Sequence, residues 1–334
     1  MTNSVPLPTE GPGIRNIPLT GNYRPDLLKD GFEQQTIYLP DDYEGAVTAT
    51  LIRRLSSNST PKAVLYVHGF NDYFFQKELA YRFNEHQFNF YALDLRKYGR
   101  SYLPHQKFND IRNIPDYYEE IRKALAIIRQ EGNEKTILMG HSTGGLILTS
   151  FAKDHPGSSL FDALILNSPF YKFNKNPLIK MIISVISGMG NLFSNLKVSS
   201  GLTEDYGKSL HQSSGGEWEY NLNWKPHQPP KVTLGWIRAI YKAQKKLFRP
   251  FKISCPVLVM HSSKSVFNSG NKDLLLQRDA VLNVKDIESV ARRIQGNATI
   301  VSIEGGLHDL ILSPRPVREK VYNTIFDWIK RYVP

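Results

Sequence analysis

The sequence predicts an α/β fold, a mostly parallel sheet with helices on both faces. Three observations carry this. Short, almost wholly apolar runs recur along the chain, as in Ala63-Val64-Leu65-Tyr66-Val67. Strands buried on both faces read this way. Stretches with apolar residues at helical spacing lie between them, and the two kinds alternate. The chain has 334 residues, enough for one large domain or for a core with a substantial insertion.

Taken in order, residues 35–39 and 47–54 read as an opening antiparallel pair. The buried strands are then 63–67, 88–93, 136–139, 163–166, 256–260 and 299–303. Helices are expected over 76–85, 117–130, 142–154, 286–293 and 317–332. The alternation breaks between about Tyr171 and Lys252, where no buried strand is evident. Residues 176–193 are strongly apolar, with Leu178, Ile182, Val185, Met189 and Phe193 on one helical stripe. Residues 209–230 form a polar loop rich in Gly, Trp and Pro, and 232–248 is helical again. This gives an extended N-terminal arm over 1–31, a core over 32–170 and 253–334, and a helical cap inserted over 171–252.

Composition narrows the class. Apolar residues make up 41% and charged residues 22%, ordinary for a soluble globular protein. The N-terminus lacks the basic and apolar regions of a signal peptide, and no run approaches the roughly 20 apolar residues of a membrane span. The single cysteine, Cys255, excludes an intrachain disulfide framework and fits a reducing cytoplasm. Directly before a strand, it reads as a buried structural thiol. The net charge is +11. From Lys172 to Lys252 there are thirteen Lys or Arg and four acids (Glu204, Asp205, Glu217, Glu219), so the insertion holds most of the surplus.

The chemistry centres on Met139-Gly140-His141-Ser142-Thr143-Gly144-Gly145, which follows an expected strand and opens an expected helix. Gly140-x-Ser142-x-Gly144 is the pattern of a nucleophile on a sharp strand-to-helix turn. The turn is strained, and only very small residues fit two before and two after the serine. The helix N-terminus favours developing negative charge. His68-Gly69-Phe70 follows the 63–67 strand. Its loop would supply one oxyanion donor, the Phe70 backbone N–H, and Thr143 the other. Both act through backbone. Gly69, Gly140, His141 and Gly144 support the loop and the elbow, and His68 reads as a loop-shaping residue without a proton-transfer role.

His308 lies in Glu304-Gly305-Gly306-Leu307-His308-Asp309, just past the last strand, where it can reach a serine at the sheet's C-terminal edge. An acid must hold its imidazole tautomer. The loop straight after strand 256–260 contains none. The candidates are Asp273 in a polar loop, Asp279 ahead of a helix, and Asp286, which reads as that helix's N-cap. Asp279 is preferred and Asp286 held in reserve. The order Ser142, Asp279, His308 is that of the α/β-hydrolases, unlike the chymotrypsin or subtilisin orders.

With these pieces in hand, the chain resembles the monoacylglycerol lipase, lysophospholipase and serine-aminopeptidase-like branch of the α/β-hydrolases. The matching residues are His68-Gly69-Phe70, the six residues from Gly140, and Gly306-Leu307-His308-Asp309. Asp94-Leu95-Arg96-Lys97-Tyr98-Gly99-Arg100-Ser101 looks like that branch's D-x-R-x-x-G-x-S loop. The likeness runs from Phe32 to the C-terminus and is weakest in the cap. It implies an eight-stranded sheet, a helical cap, and hydrolysis of an ester of a long acyl chain, with no metal or organic cofactor. In the family the acid follows the seventh strand more closely than it does here.

A monoacylglycerol or lysophospholipid type of substrate fits an apolar stripe that lines an acyl tunnel and a basic cap that draws an anionic head group or touches an anionic membrane surface transiently. A plainer account stands beside it: the cap's apolar face packs on the core and its lysines solvate a surface. Among rivals, an aminopeptidase would want more cap carboxylates for a substrate ammonium. Enzymes of this fold with an Asp nucleophile are excluded by Ser142. A non-catalytic binding protein would be expected to lose a triad member. Nucleic-acid binding lacks a recognition motif.

Overall fold

The computed structural model describes residues 23–173, 193–267 and 271–333. Most of the apolar stripe expected over 176–193, and the N-terminal arm up to residue 22, lie outside them.

Nine strands of the described residues form one sheet: β1 (Arg24–Pro25), β2 (Glu33–Asp42), β3 (Gly45–Arg54), β4 (Lys62–Val67), β5 (Asn89–Asp94), β6 (Lys135–His141), β7 (Ala163–Asn167), β8 (Val257–Ser262) and β9 (Ala298–Ile303). Their spatial order is β1-β2-β3-β5-β4-β6-β7-β8-β9. The first four neighbours pair antiparallel, and from β5 onward every pair is parallel. The eight expected strands are all present, and β1 adds two residues at the edge.

Because successive side chains of a strand point to opposite faces, the central strands feed two cores. In β4, Ala63, Leu65 and Val67 belong to one face, and Val64 and Tyr66 to the other. The first face is covered by α2 (Tyr118–Gln130), α3 (Thr143–Asp154), α5 (Leu234–Lys245) and α7 (Val284–Ala291). The second is covered by α1 (Lys77–Glu85) and α8 (Arg315–Tyr332). In α8, Val321, Tyr322, Ile325, Trp328 and Ile329 form the buried stripe. Pro316 sits in its first turn, where the missing N–H costs nothing.

Between β7 and β8 the described chain is irregular. It contains the short helix α4 (Asp205–Leu210), a two-stranded antiparallel ribbon of Lys197–Val198 with Val232–Thr233, and α5. The expected helix over 232–248 is shorter at both ends. The Thr233 hydroxyl caps it by accepting from the Trp236 N–H at 3.0 Å. Among the described residues, no helix is long and apolar enough to cross a membrane.

Two local expectations are corrected. Asp286 does not cap α7. Asn283 does, its side chain accepting from the Lys285 N–H at 3.0 Å, while Asp286 lies inside the first turn. Asp273 is not in a loop but in the first turn of the short helix α6 (Lys272–Leu275). Cys255 is half-buried, and burial pushes its thiol up to about 11, so it is a neutral thiol at neutral pH.

Candidate active site

Loops leaving the C-terminal ends of β4, β6, β8 and β9 converge on one cavity of about 720 Å³. Ser142 stands between β6 and α3 with φ 51° and ψ −114°, a left-handed conformation that L residues avoid. The fold holds it there through its N–H on the Asn167 carbonyl at 3.0 Å and its carbonyl accepting from Leu146 N–H at 3.1 Å. The glycines around it are sterically required. A Cβ on Gly144 would stand 2.3 Å from the Val67 carbonyl oxygen, and one on Gly140 2.8 Å from the Gly144 backbone.

His308 Nε2 lies 3.0 Å from Ser142 Oγ, and its Nδ1 lies 3.0 Å from Asp279 Oδ2. All three residues are buried. With the Nδ1 proton directed to the carboxylate, Nε2 is left to accept from the serine hydroxyl. The other oxygen of Asp279 accepts from the N–H groups of Val281 and Leu282 at 2.8 and 2.7 Å. Although Asp279 follows β8 by many residues, its backbone returns to the strand's exit. It forms a parallel bridge with Ser265, donates its N–H to the Lys264 carbonyl at 2.9 Å and accepts from Val266 N–H at 2.9 Å. The structure therefore brings Ser142, His308 and Asp279 together. It places Asp286 on the Lys172 ammonium at 2.9 Å.

Phe70 and Thr143 both line the cavity beside Ser142. Thr143 is the first residue of α3, so its N–H has no partner within the helix. His68 is fully buried. Its Nε2 accepts from Leu95 N–H at 3.0 Å, which leaves Nδ1 to donate to the Gly69 carbonyl at 2.8 Å. Burial lowers its pKa from the ordinary histidine value, so the ring stays neutral and braces the loop. The loop after β5 adds a second brace. Asp94 accepts from Phe74 N–H at 2.8 Å and pairs with Arg100, which also grips Asp26.

Sequence reasoning missed a set of residues that clamp the inserted segment to this machinery. Three consecutive residues after Phe70 each hold residues 221–226. Asn71 donates to the Pro226 carbonyl at 2.9 Å, Asp72 pairs with Lys225 Nζ at 2.8 Å, and the Tyr73 hydroxyl accepts from Asn221 N–H at 2.7 Å. The Tyr206 hydroxyl accepts from Asp309 N–H at 2.9 Å, and its ring meets the His308 imidazole edge-on at 5.9 Å. Behind His308, His141 Nδ1 faces Asp72 at 3.6 Å and Asp309 at 3.8 Å. Asp309 is anchored in turn by Asn167 at 2.7 Å. Burial pushes the Asp72 carboxyl up, but Lys225 and His141 outweigh it and hold it below the usual carboxylate range. These contacts link segments far apart in sequence, and no local pattern announces them.

The cavity wall is largely apolar. Phe170, Phe173, Trp236, Val266, Phe267 and Leu282 contribute to it, and Asn71, Lys225 and His227 are polar exceptions. Asp205 is the one acid among the described lining residues.

With the fold and the geometry of this cavity described, the chain can be set beside known proteins. The family model Hydrolase_4, described as serine aminopeptidase, S33, matches residues 58–315. The chain belongs to this family. The match takes in the loop after β4, the turn at Ser142, Asp279 and His308. No curated protein is similar enough in sequence to count as a relative. Among solved structures, a soluble variant of monoglyceride lipase from Saccharomyces cerevisiae, in complex with a substrate analog, is similar at 16% identity. That match covers 90% of this chain and 97% of the other, with a TM-score of 0.65. The Paleococcus ferrophilus monoacylglycerol lipase is also 16% identical, covering 90% and 99%, with a TM-score of 0.60. Est1E from Butyrivibrio proteoclasticus, with ferulic acid bound, is 17% identical, covering 89% and 99%, with a TM-score of 0.57. At such identities the likeness establishes the α/β-hydrolase fold.

Proposed function

We propose that the chain is a serine hydrolase that cleaves a carboxylic ester of monoacylglycerol or lysophospholipid type through an acyl-enzyme on Ser142. The observation that carries this reading is the unbroken relay of Ser142 Oγ, His308 and Asp279, each step 3.0 Å, on a strained elbow at the cavity floor. Ser142 attacks the ester carbonyl as His308 takes its proton, and Asp279 stabilises the resulting imidazolium. The backbone N–H groups of Phe70 and Thr143 receive the oxyanion. His308 then protonates the departing alcohol, and water reverses the sequence to release the acid. Every proton and leaving group is handled by these residues. Residues 171–252 are taken as the inserted cap, of which the described residues Leu202, Tyr206, Lys225 and Trp236 wall the cavity. The aromatic and aliphatic wall supports an acyl chain, and the cavity is in the size range of small-molecule sites.

A peptidase reading is favoured by one observation: Asp205 places a carboxylate on the cavity wall, where a substrate ammonium could rest. Hydrolysis of p-nitrophenyl esters from acetate to palmitate, alongside an aminoacyl p-nitroanilide, separates the two. The proposal expects ester turnover, abolished in Ser142→Ala, with an optimum at a medium or long acyl chain. Turnover of the anilide alone overturns it.

A further inference from the structure

From Tyr220 to Lys272 the chain has no Asp or Glu and ten Lys or Arg. Among the described residues of this run, Lys225 is the one cation seen in an ion pair. Helix α5 lies at its centre and is sharply two-sided. Trp236, Ile237, Ile240 and Ala243 are buried, and Trp236 reaches the active-site cavity. Lys242, Lys245, Lys246 and Arg249 are exposed, and Arg238 is half-buried. Arg238, Lys242, Lys245 and Arg249 recur at intervals of four, three and four, which places them on one face of the helix and of the turn that prolongs it. One or two cations near a helix C-terminus are favourable. Further like charges at this spacing repel each other, so a stripe of this length calls for countercharge from outside the chain.

A second feature says what kind. The turn before the ribbon ends against the start of α5, where the Ser194 and Leu196 carbonyls accept from the Gly235 and Leu234 N–H groups at 3.0 and 2.9 Å. On that turn Phe193 and Leu196 are 53% and 57% exposed, beside the exposed Lys197. Large apolar side chains set next to a cationic helix face match a bilayer surface. The cations meet anionic head groups while the apolar side chains enter the acyl boundary. A nucleic acid or an acidic protein would answer the charge and leave Phe193 and Leu196 without a partner. We propose that α5 and the 193–197 turn form a docking face for an anionic lipid bilayer.

This face is independent of the bond the enzyme cleaves, so the two proposals fail separately. The test is co-sedimentation of the full chain with phosphatidylcholine vesicles and with vesicles that also contain phosphatidylserine, at low and high salt. Binding to the anionic vesicles alone, weakened by salt, is expected. Lys242→Gln, Lys245→Gln and Arg249→Gln combined should lower partitioning by about a hundredfold, at roughly fivefold per cation. Phe193→Ser with Leu196→Ser should weaken the binding that survives high salt. Both variants should keep the parent melting temperature and the parent turnover of a soluble short-chain ester. Equal partitioning onto neutral and anionic vesicles, a triple variant that partitions like the parent, or capture of an oligonucleotide in place of vesicles overturns the proposal.

Discussion

Replacing Lys225 by methionine keeps the side chain's bulk and removes its charge. In the parent, Lys225 Nζ sits 2.8 Å from Asp72 Oδ1, and the two side chains are only 11% and 1% exposed. Removing one partner of so buried a pair leaves a carboxylate without countercharge, a cost of about 3–5 kcal/mol, against about 1 kcal/mol or less for an exposed pair. His141 can take up only part of the load, because its Nδ1 is 3.6 Å away and shared with Asp309. Adding Asp72→Leu should recover most of the loss, since an apolar replacement of a whole buried pair is close to neutral. Denaturant unfolding of the parent, the two single variants and the double variant at neutral pH gives the coupling directly. Asp72 directly follows Asn71 and Phe70, the proposed oxyanion donor, so kcat on a soluble ester should also fall, by about tenfold or more. The ceiling is the roughly 100–1000-fold cost of losing one oxyanion donor outright. A Lys225→Met loss below about 1 kcal/mol, or strict additivity in the double variant, would show that the clamp contributes no more than a surface contact.

Two further outcomes follow from the site. Asp279→Asn should lower kcat by about ten-thousandfold, because the wrong histidine tautomer faces the serine. Asp286→Asn, whose carboxylate pairs with Lys172 rather than with His308, should stay within about twofold of the parent in the same ester assay. The pH dependence of stability should report His68. Burial lowers its folded-state pKa below the ordinary 6.5, so the unfolded chain takes up the proton first as pH falls. Its contribution is complete above about pH 6.5 and is lost as pH drops through the folded value. Unfolding midpoints measured from about pH 8 to pH 5 should fall more steeply for the parent than for His68→Gln, and parallel curves would exclude this role.

The sheet was legible because burial on two faces leaves a repeated mark in sequence. Six of the eight expected strands sit where an apolar run was read, the other two where an antiparallel pair was expected, and only the ends moved. The elbow was legible for a steric reason, since a Cβ at Gly140 or Gly144 has nowhere to go. The helix cap was misread because Asn283 and Asp286 are both good caps three residues apart. The choice falls to Asn283 because Val284 already begins the buried stripe of α7. Asp279 could only be reached by elimination. What brings it to His308 is the bridge to Ser265, which closes the long excursion after β8 and returns the acid to the strand's end.

The clamp left no sequence signal at all, and the reason is the physics that makes it matter. Asp72 and Lys225 are 153 residues apart, and each read alone is an ordinary surface charge. Burial turns them into a pair whose halves are costly to separate, and burial of a single side chain has no period to read. The same holds for Tyr206, which meets the His308 loop only once the inserted segment is folded over it. The inserted segment thus supplies side chains to both halves of the proposed machinery, Lys225 to the oxyanion loop and Tyr206 to the histidine loop. Residues 204–226 cannot swing away from the cavity without breaking both sets of contacts.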